Sequence, residues 1–428
     1  MGRLNSSQIS QLHLYQVLHA IRLHKAPMSR AEISEATGLS QPAVSSLTCR
    51  LRDSGAVLEI GMRPSTGGGR RERELALNAD HVWVVGVGVS LHRITVTLTD
   101  FTGEIRHTHD AVLATPVSKA ALIQRLIRDV RACIAEAGGA ALPAPLAGVG
   151  VALPGFVDSI GDQIHWSAVF PPGKTTVVRD FSGALSRALD VPVFVENDAN
   201  IRALAEQWFG NAGHMSNVAV ITLEQGLGLG LVFNGELYRG RSGLAGELAH
   251  VQVEVGGRQC HCGKRGCLEA YVSHYAVVQQ GQEAGLLPQG QLLPQAVDAA
   301  YDHFARLAKG GNARAVEIFE QQGRRLGAWI GNLVNLIAPQ RVLLDGGRAD
   351  AIELFEAPLR SAMIDAMALP HRDSVPLIIG HENREAWARG AASLVLQRLD
   401  QSTEIVVAAS RHGFNRKTPS TAARRAAI

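Results

Sequence analysis

HVWVVGVGV (81–89) and RITVTLTD (93–100) decide the fold. Both read as buried strands, and the short gap between them admits only a tight turn. FTGE (101–104) turns into a third strand, and a helical pattern follows from 118 to about 137. AGVGVAL (147–153) and VPVFVE (191–196) continue as buried strands, with a helix over 199–209. The order then restarts: NVAVITL (217–223), a Gly-rich turn, LGLVF (229–233), long helices flanking RVLLDGG (341–347), and a late strand SVPLIIG (374–380). Two successive blocks of hairpin followed by βα units predict two α/β lobes with a cleft between them.

Composition agrees. The chain has 428 residues, 46% hydrophobic and 19% charged, enough for two to four domains. Aromatics are 5% and glycines number 44, so small and aliphatic residues must fill the cores. The net charge of +3 is unevenly spread: residues 1–75 carry +4, residues 411–428 carry +5, and the middle is acidic. A basic head on an acidic body points to nucleic acid. The segment 137–157 lacks charge but holds three prolines and five glycines, so it reads as a loop entering a strand. No membrane partner is expected.

The head has its own signals. Ile9, Leu12, Tyr15, Val17, Leu18 and Ile21 form a helical stripe over about 7–24. Ser29 and Glu32 make a capping box that opens a second helix, stopped at Gly38. Ser40 is expected to cap a third helix over 41–53, with Val44, Leu47 and Leu51 inward and Gln41, Ser45, Ser46, Thr48 and Arg50 outward. Two helices across Gly38-Leu39-Ser40 are a helix-turn-helix. VLEI (57–60), then a Gly-rich tip with Arg70 and Arg71, then LALN (75–78) read as a wing. The DNA contacts expected are Gln41, Ser45, Ser46, Arg50, Arg70 and Arg71.

HVQVEVGGRQCHCGKRGCLE (250–269) offers three thiolates and an imidazole within eighteen residues. Cys260, Cys262, Cys267 and His250 are the ligand set of a closed, structural zinc site, with His261 the rival fourth ligand. A cysteine-rich iron–sulfur cluster fits less well, since it wants four thiolates. The odd count of five cysteines and their clustering predict a reducing, cytoplasmic setting, with Cys49 and Cys133 ordinary thiols.

Several anchors occur together: LPG (153–155), ENDAN (196–200), AGELAH (245–250) and CxCGxxGCLE (260–269). In order and spacing they resemble the ROK family, which joins sugar-responsive repressors with bacterial sugar kinases. The resemblance runs from the winged helix to about residue 400. It implies an N-terminal winged helix-turn-helix followed by a two-lobed, actin-like, sugar-kinase-like ATPase fold. The divisions expected are 1–78 for the head, 79–200 for the first lobe, 201–400 for the second with the zinc site, and 401–428 for a basic tail.

The resemblance also implies that Asn197, Asp198, Glu247, His250 and Glu269 hold sugar hydroxyls. In the family's kinases the acid matching Asp198 is the base. The kinases carry Asp-x-Gly-Gly-Thr at the first strand turn; this chain reads GVSLH (88–92). Their second phosphate loop resembles Gly-Thr-Gly-x-Gly; here EQGLGLG (224–230) places Glu224 where it would repel polyphosphate. The glycines left there are expected to make tight turns. A regulator follows, most simply a repressor of carbohydrate genes without phosphotransfer, binding a palindromic double-stranded operator as a homodimer or homotetramer. A sugar kinase with an added head, and a regulator controlled by a protein partner, are the alternatives.

Overall fold

The computed structural model describes residues 6–401, excepting 25, 64–70, 140–141, 172–176, 211, 213–214, 291–292, 373 and 382–384. The head comprises α1 (Ser6–His24), α2 (Arg30–Thr37) and α3 (Gln41–Asp53), then the antiparallel pair β1 (Val57–Arg63) and β2 (Glu72–Leu77). The capping box forms as expected: Ser29 Oγ accepts from Glu32 N, and Glu32 answers at Ser29 N. Gly38 closes α2 at φ 69°, a left-handed conformation that suits glycine. Ser40 occupies the N-cap of α3, but its side chain makes no capping bond. Thr48 is also corrected: it is buried, not outward. Its hydroxyl donates to Val44 O at 2.8 Å and accepts from Arg30 Nε at 3.0 Å, which removes the reason for it to face water.

The body repeats one topology twice. The first sheet runs β10-β6-β3-β4-β5, from β3 (Trp83–Val89), β4 (Arg93–Thr99), β5 (Ile105–Val112), β6 (Leu146–Leu153) and β10 (Val193–Asn197). The second runs β13-β12-β11-β14-β15, from β11 (Val218–Leu223), β12 (Leu227–Phe233), β13 (Glu236–Leu237), β14 (Arg341–Gly347) and β15 (Leu377–His381). In each, an antiparallel meander is extended by two parallel strands. A small sheet of β7 (Phe156–Asp158), β8 (Gln163–Trp166) and β9 (Val178–Arg179) hangs from the end of β6.

Two helices fill the space between the large sheets. α12 (Ala386–Gln401) lies on β3, β4 and β6, and α6 (Asp198–Phe209) lies on β11 and β12 and against α12. The fit is backbone on backbone. A Cβ added at Gly150 of β6 would stand 1.9 Å from Ala391 O, and one at Gly230 of β12 would stand 2.3 Å from Ala199 O. Gly228 and Gly230 are therefore strand residues that admit a helix, not turn residues; the turn falls at Gly226. α12, within the stretch expected as the second lobe, returns to cover the first sheet. The far face of the second sheet shares one apolar cluster with α9 (Pro294–Lys309), α10 (Ala313–Ile337) and α11 (Ala349–Ala366). The basic tail beyond 401 lies outside the described residues. Among those described, no helix is long and apolar enough to cross a membrane.

Candidate functional site

β6 and β10 end side by side at Leu153 and Asn197, the position at which open α/β sheets hold ligands. β10 ends at Asn197, and the next residue, Asp198, is the first of α6. Asn197 organises this corner. Its Oδ1 accepts from Asn200 N at 3.1 Å, and its Nδ2 donates to Gly155 O at 2.9 Å and to Asp198 Oδ1 at 3.1 Å. The LPG anchor thus supplies the carbonyl that fixes the Asn197 amide. Asp198 also accepts from Ala199 N at 2.9 Å. Burial nevertheless lifts its carboxyl to about 6, against the bonds from the helix start.

Two further carboxylates arrive from the second lobe. Glu247 leads into a short 3-10 turn (Leu248–His250) packed on β12. Burial pushes it up to about 8, with the charges of Asp198 and Glu269 adding. Glu269 opens α7 (Glu269–Val272). It accepts from Cys260 Sγ at 3.3 Å and from the Leu227 backbone, so its bonds go to neighbours across the fold and not to a cap. Burial lifts it to about 7, with Asp198 contributing. Each of the three keeps partial exposure to solvent. Asp198 raises both glutamates and Glu269 raises Glu247, so the three present acceptors, and protonated donors, to a neutral polyol.

Beneath them lies a metal-ligand cluster. One ligand atom each from His250, Cys260, Cys262 and Cys267 falls within 4.8 Å of the others. Cys262 Sγ and Cys267 Sγ are 3.8 Å apart, and His250 Nδ1 is 3.6 Å from Cys260 Sγ. Sulfurs bound tetrahedrally at about 2.3 Å would be roughly 3.8 Å apart, so the donor set fits a metal. His261 is not in the cluster; its ring packs on Tyr275, with centroids 4.4 Å apart. Burial holds His250 neutral, lowering it to about 4, as a ligating imidazole requires. Phe156 stands edge-on to its ring at 5.1 Å.

The two turns that the resemblance matches to the kinases' phosphate loops are each held by side-chain bonds. At the first, Ser90 Oγ accepts from His92 N and Arg93 N, taking up amides a phosphate would need. At the second, Gln225 Nε2 donates to Pro294 O at 2.8 Å and to Asp298 Oδ2 at 3.0 Å, stapling the turn to α9. The Glu224 side chain lies against Gly346, its Cγ 2.8 Å from where a Cβ would stand. Arg348, next along, pairs with Asp302.

Sequence reasoning overlooked the clasp across the lobes. Glu196 is fully buried and accepts from Ser159 Oγ at 3.0 Å, Asn200 Nδ2 at 3.0 Å and Arg239 Nε at 2.6 Å. The last bond ties the first lobe to the segment carrying Glu247. A buried acid with a distant arginine leaves no local pattern to read.

On the head, Gln41, Ser45 and Ser46 are exposed along one side of α3, and Arg71 is exposed beside the wing. Arg50 is exposed and donates to Ser10 Oγ at 2.9 Å. Arg70 lies outside the described residues.

The chain is 30% identical over 385 residues to the xylose repressor of Bacillus subtilis, covering 89% of this chain and 94% of that protein. It is 28% identical over 395 residues to the DNA-binding transcriptional dual regulator NagC of Escherichia coli K12, covering 91% and 95%. The crystal structure of a ROK family transcriptional regulator, a homologue of the E. coli MLC protein, superposes with a TM-score of 0.76 at 24% identity, covering 94% and 99%. That likeness shows the fold from head to body. Residues 84–398 match the ROK family as a whole, and the chain belongs to that family.

Proposed function

We propose that this protein is a DNA-binding transcriptional repressor of carbohydrate uptake or catabolism genes, controlled by a sugar or sugar derivative in the cleft, without phosphotransfer. One observation carries the reading: Asp198, Glu247 and Glu269 share one electrostatic field, and Glu269 adjoins the Gly226 turn, which Gln225 ties to α9. Phosphoryl transfer is mainly positioning and charge stabilisation, so a base without a donor cradle transfers nothing. Relatives named as repressors align over about nine-tenths of the chain, head included, and support the regulatory role.

In this reading Asp198, Glu247 and Glu269 hold hydroxyls, with Asn197 fixing Asp198. A missing hydroxyl would leave a buried acid unpaired, which gives selectivity. His250, Cys260, Cys262 and Cys267 hold Zn²⁺, which fixes the imidazole so that Nε2 is left for the ligand. Gln41, Ser45, Ser46 and Arg50 meet the major groove, and Arg70 and Arg71 meet phosphate or the minor groove. A homodimer or homotetramer places two heads on a palindromic operator in the cytoplasm.

The test is fluorescence anisotropy on duplexes from the protein's own promoter region, titrated with a sugar panel including D-xylose and N-acetylglucosamine. A sugar that releases the DNA supports the reading. Release by no sugar, or ATP turnover with a hexose that Asp198→Ala abolishes, would replace it.

A further inference from the structure

Arg22 closes the last turn of α1 and is almost wholly buried. Its guanidinium makes two bonds of 2.9 Å to the carboxylate of Asp400, near the end of α12, and a third to Phe101 O. It stands 4.5 Å from the Phe101 ring and 5.2 Å from the Trp208 ring. His19, one turn back on α1, meets Trp208 edge-on at 5.9 Å. The head therefore docks on the ends of both central helices. The apolar core of the head, including Leu18, Ile33 and Leu51, is continuous with Trp208, Ala391 and Leu399 of that layer.

Trp208 lies in the last turn of the helix that Asp198 begins. Twelve residues of helix span about 18 Å. Near its start α6 is gripped at the backbone on both sides, since a Cβ at Gly230 would stand 2.3 Å from Ala199 O and one at Gly390 of α12 2.6 Å from Ile201 O; further along, Leu204 and Trp208 pack in the apolar core that the head shares. Packed backbones are not continuously deformable, so a shift at one end of α6 is delivered at the other.

We propose that Arg22 is the positioning residue through which the cleft and the head are coupled: it clamps α1 to the joined ends of α6 and α12, so ligand at Asp198 reorients the head. This rests on the cleft reading above. Coupling is reciprocal, so DNA on the head must also be felt at Asp198. A buried Arg–Asp pair suits a device that fixes geometry, since apolar substitutes often serve stability equally well.

The test uses the full chain and the double variant Arg22→Met/Asp400→Leu, which replaces the pair with apolar side chains and keeps the fold. Hydrogen exchange is followed with and without a promoter-region duplex, and needs no sugar. DNA is expected to slow exchange in the first turn of α6, at Ala199 and Asn200, in the wild type only. The double variant should confine the change to the head while binding DNA. Where D-xylose or N-acetylglucosamine releases DNA, the double variant should bind that sugar unchanged and lose at least about fivefold of the release. An α6 indifferent to DNA in the wild type, or an equal response in the double variant, overturns the proposal. A wild type that binds duplex but no sugar would instead sink the cleft reading, and one that binds no duplex sinks both.

Discussion

Replacing Asp198 by Asn separates the cost of a charge in the cleft from its use. Burial lifts this carboxyl to about 6 from an ordinary 3.8. Two units correspond to about 3 kcal/mol of destabilisation in the ionised form. Asp198 keeps some contact with cleft solvent, so that figure is an upper one. The folded pKa lies above the unfolded value, so the penalty is absent well below 3.8, builds between 3.8 and 6, and is full above that. Asn cannot ionise and keeps an Oδ1 for Ala199 N. The variant should therefore be more stable than wild type, by about 1 kcal/mol near pH 4.5 and about 3 kcal/mol at pH 7.5. Urea denaturation followed by tryptophan fluorescence at both pH values measures the difference, and calorimetry should show sugar binding lost. A stability difference that does not grow with pH, or a less stable variant at pH 7.5, refutes the reasoning.

Arg22→Ala, with Asp400 left in place, strands a buried carboxylate and should cost about 3–5 kcal/mol by chemical denaturation. Gly150→Ala drives a methyl into Ala391 O and should lower the melting temperature sharply or prevent soluble expression, unlike Gly38→Asn at the open cap. Cys267→Ser should reduce bound zinc, measured by atomic emission, from one per chain, and abolish thermal stabilisation by sugar while the head still binds duplex. Glu196→Gln weakens the tie to Arg239 and should lower sugar affinity by about tenfold in calorimetry, since a hydrogen bond to a charged group contributes about 1.5–3 kcal/mol.

The head was legible because its signals are local. Ser29, Glu32 and Gly38 act within one turn of the residues they cap, and the structure places them as read. Thr48 failed for a reason internal to the residue: a hydroxyl bonded to its own helix behaves as an apolar group. The main strands were legible from apolar runs, though not their order in the sheets. The return of α12 was not, because its partners lie some 300 residues earlier. One signal was available: Gly86 and Gly88 of β3 alternate at period two, and the small residues of ARGAAS (388–393) are their counterpart on the helix side. Cleft residues came from the resemblance, and the structure added that three acids share one field. Arg22 and Asp400 are 378 positions apart, and no spacing rule reaches that far.

The late arrival of α12 bears on how the chain is made. β3 is complete at residue 89, but the helix that covers it begins at 386. At about 5–20 residues per second, a ribosome leaves that glycine-bearing surface bare for roughly 15–60 s. The second lobe can mature while the first waits, and a nascent chain halted before 386 lacks the helix on which both the first sheet and the head pack. Chaperones that shield apolar strands should engage this protein during translation, between the release of β6 and the emergence of α12.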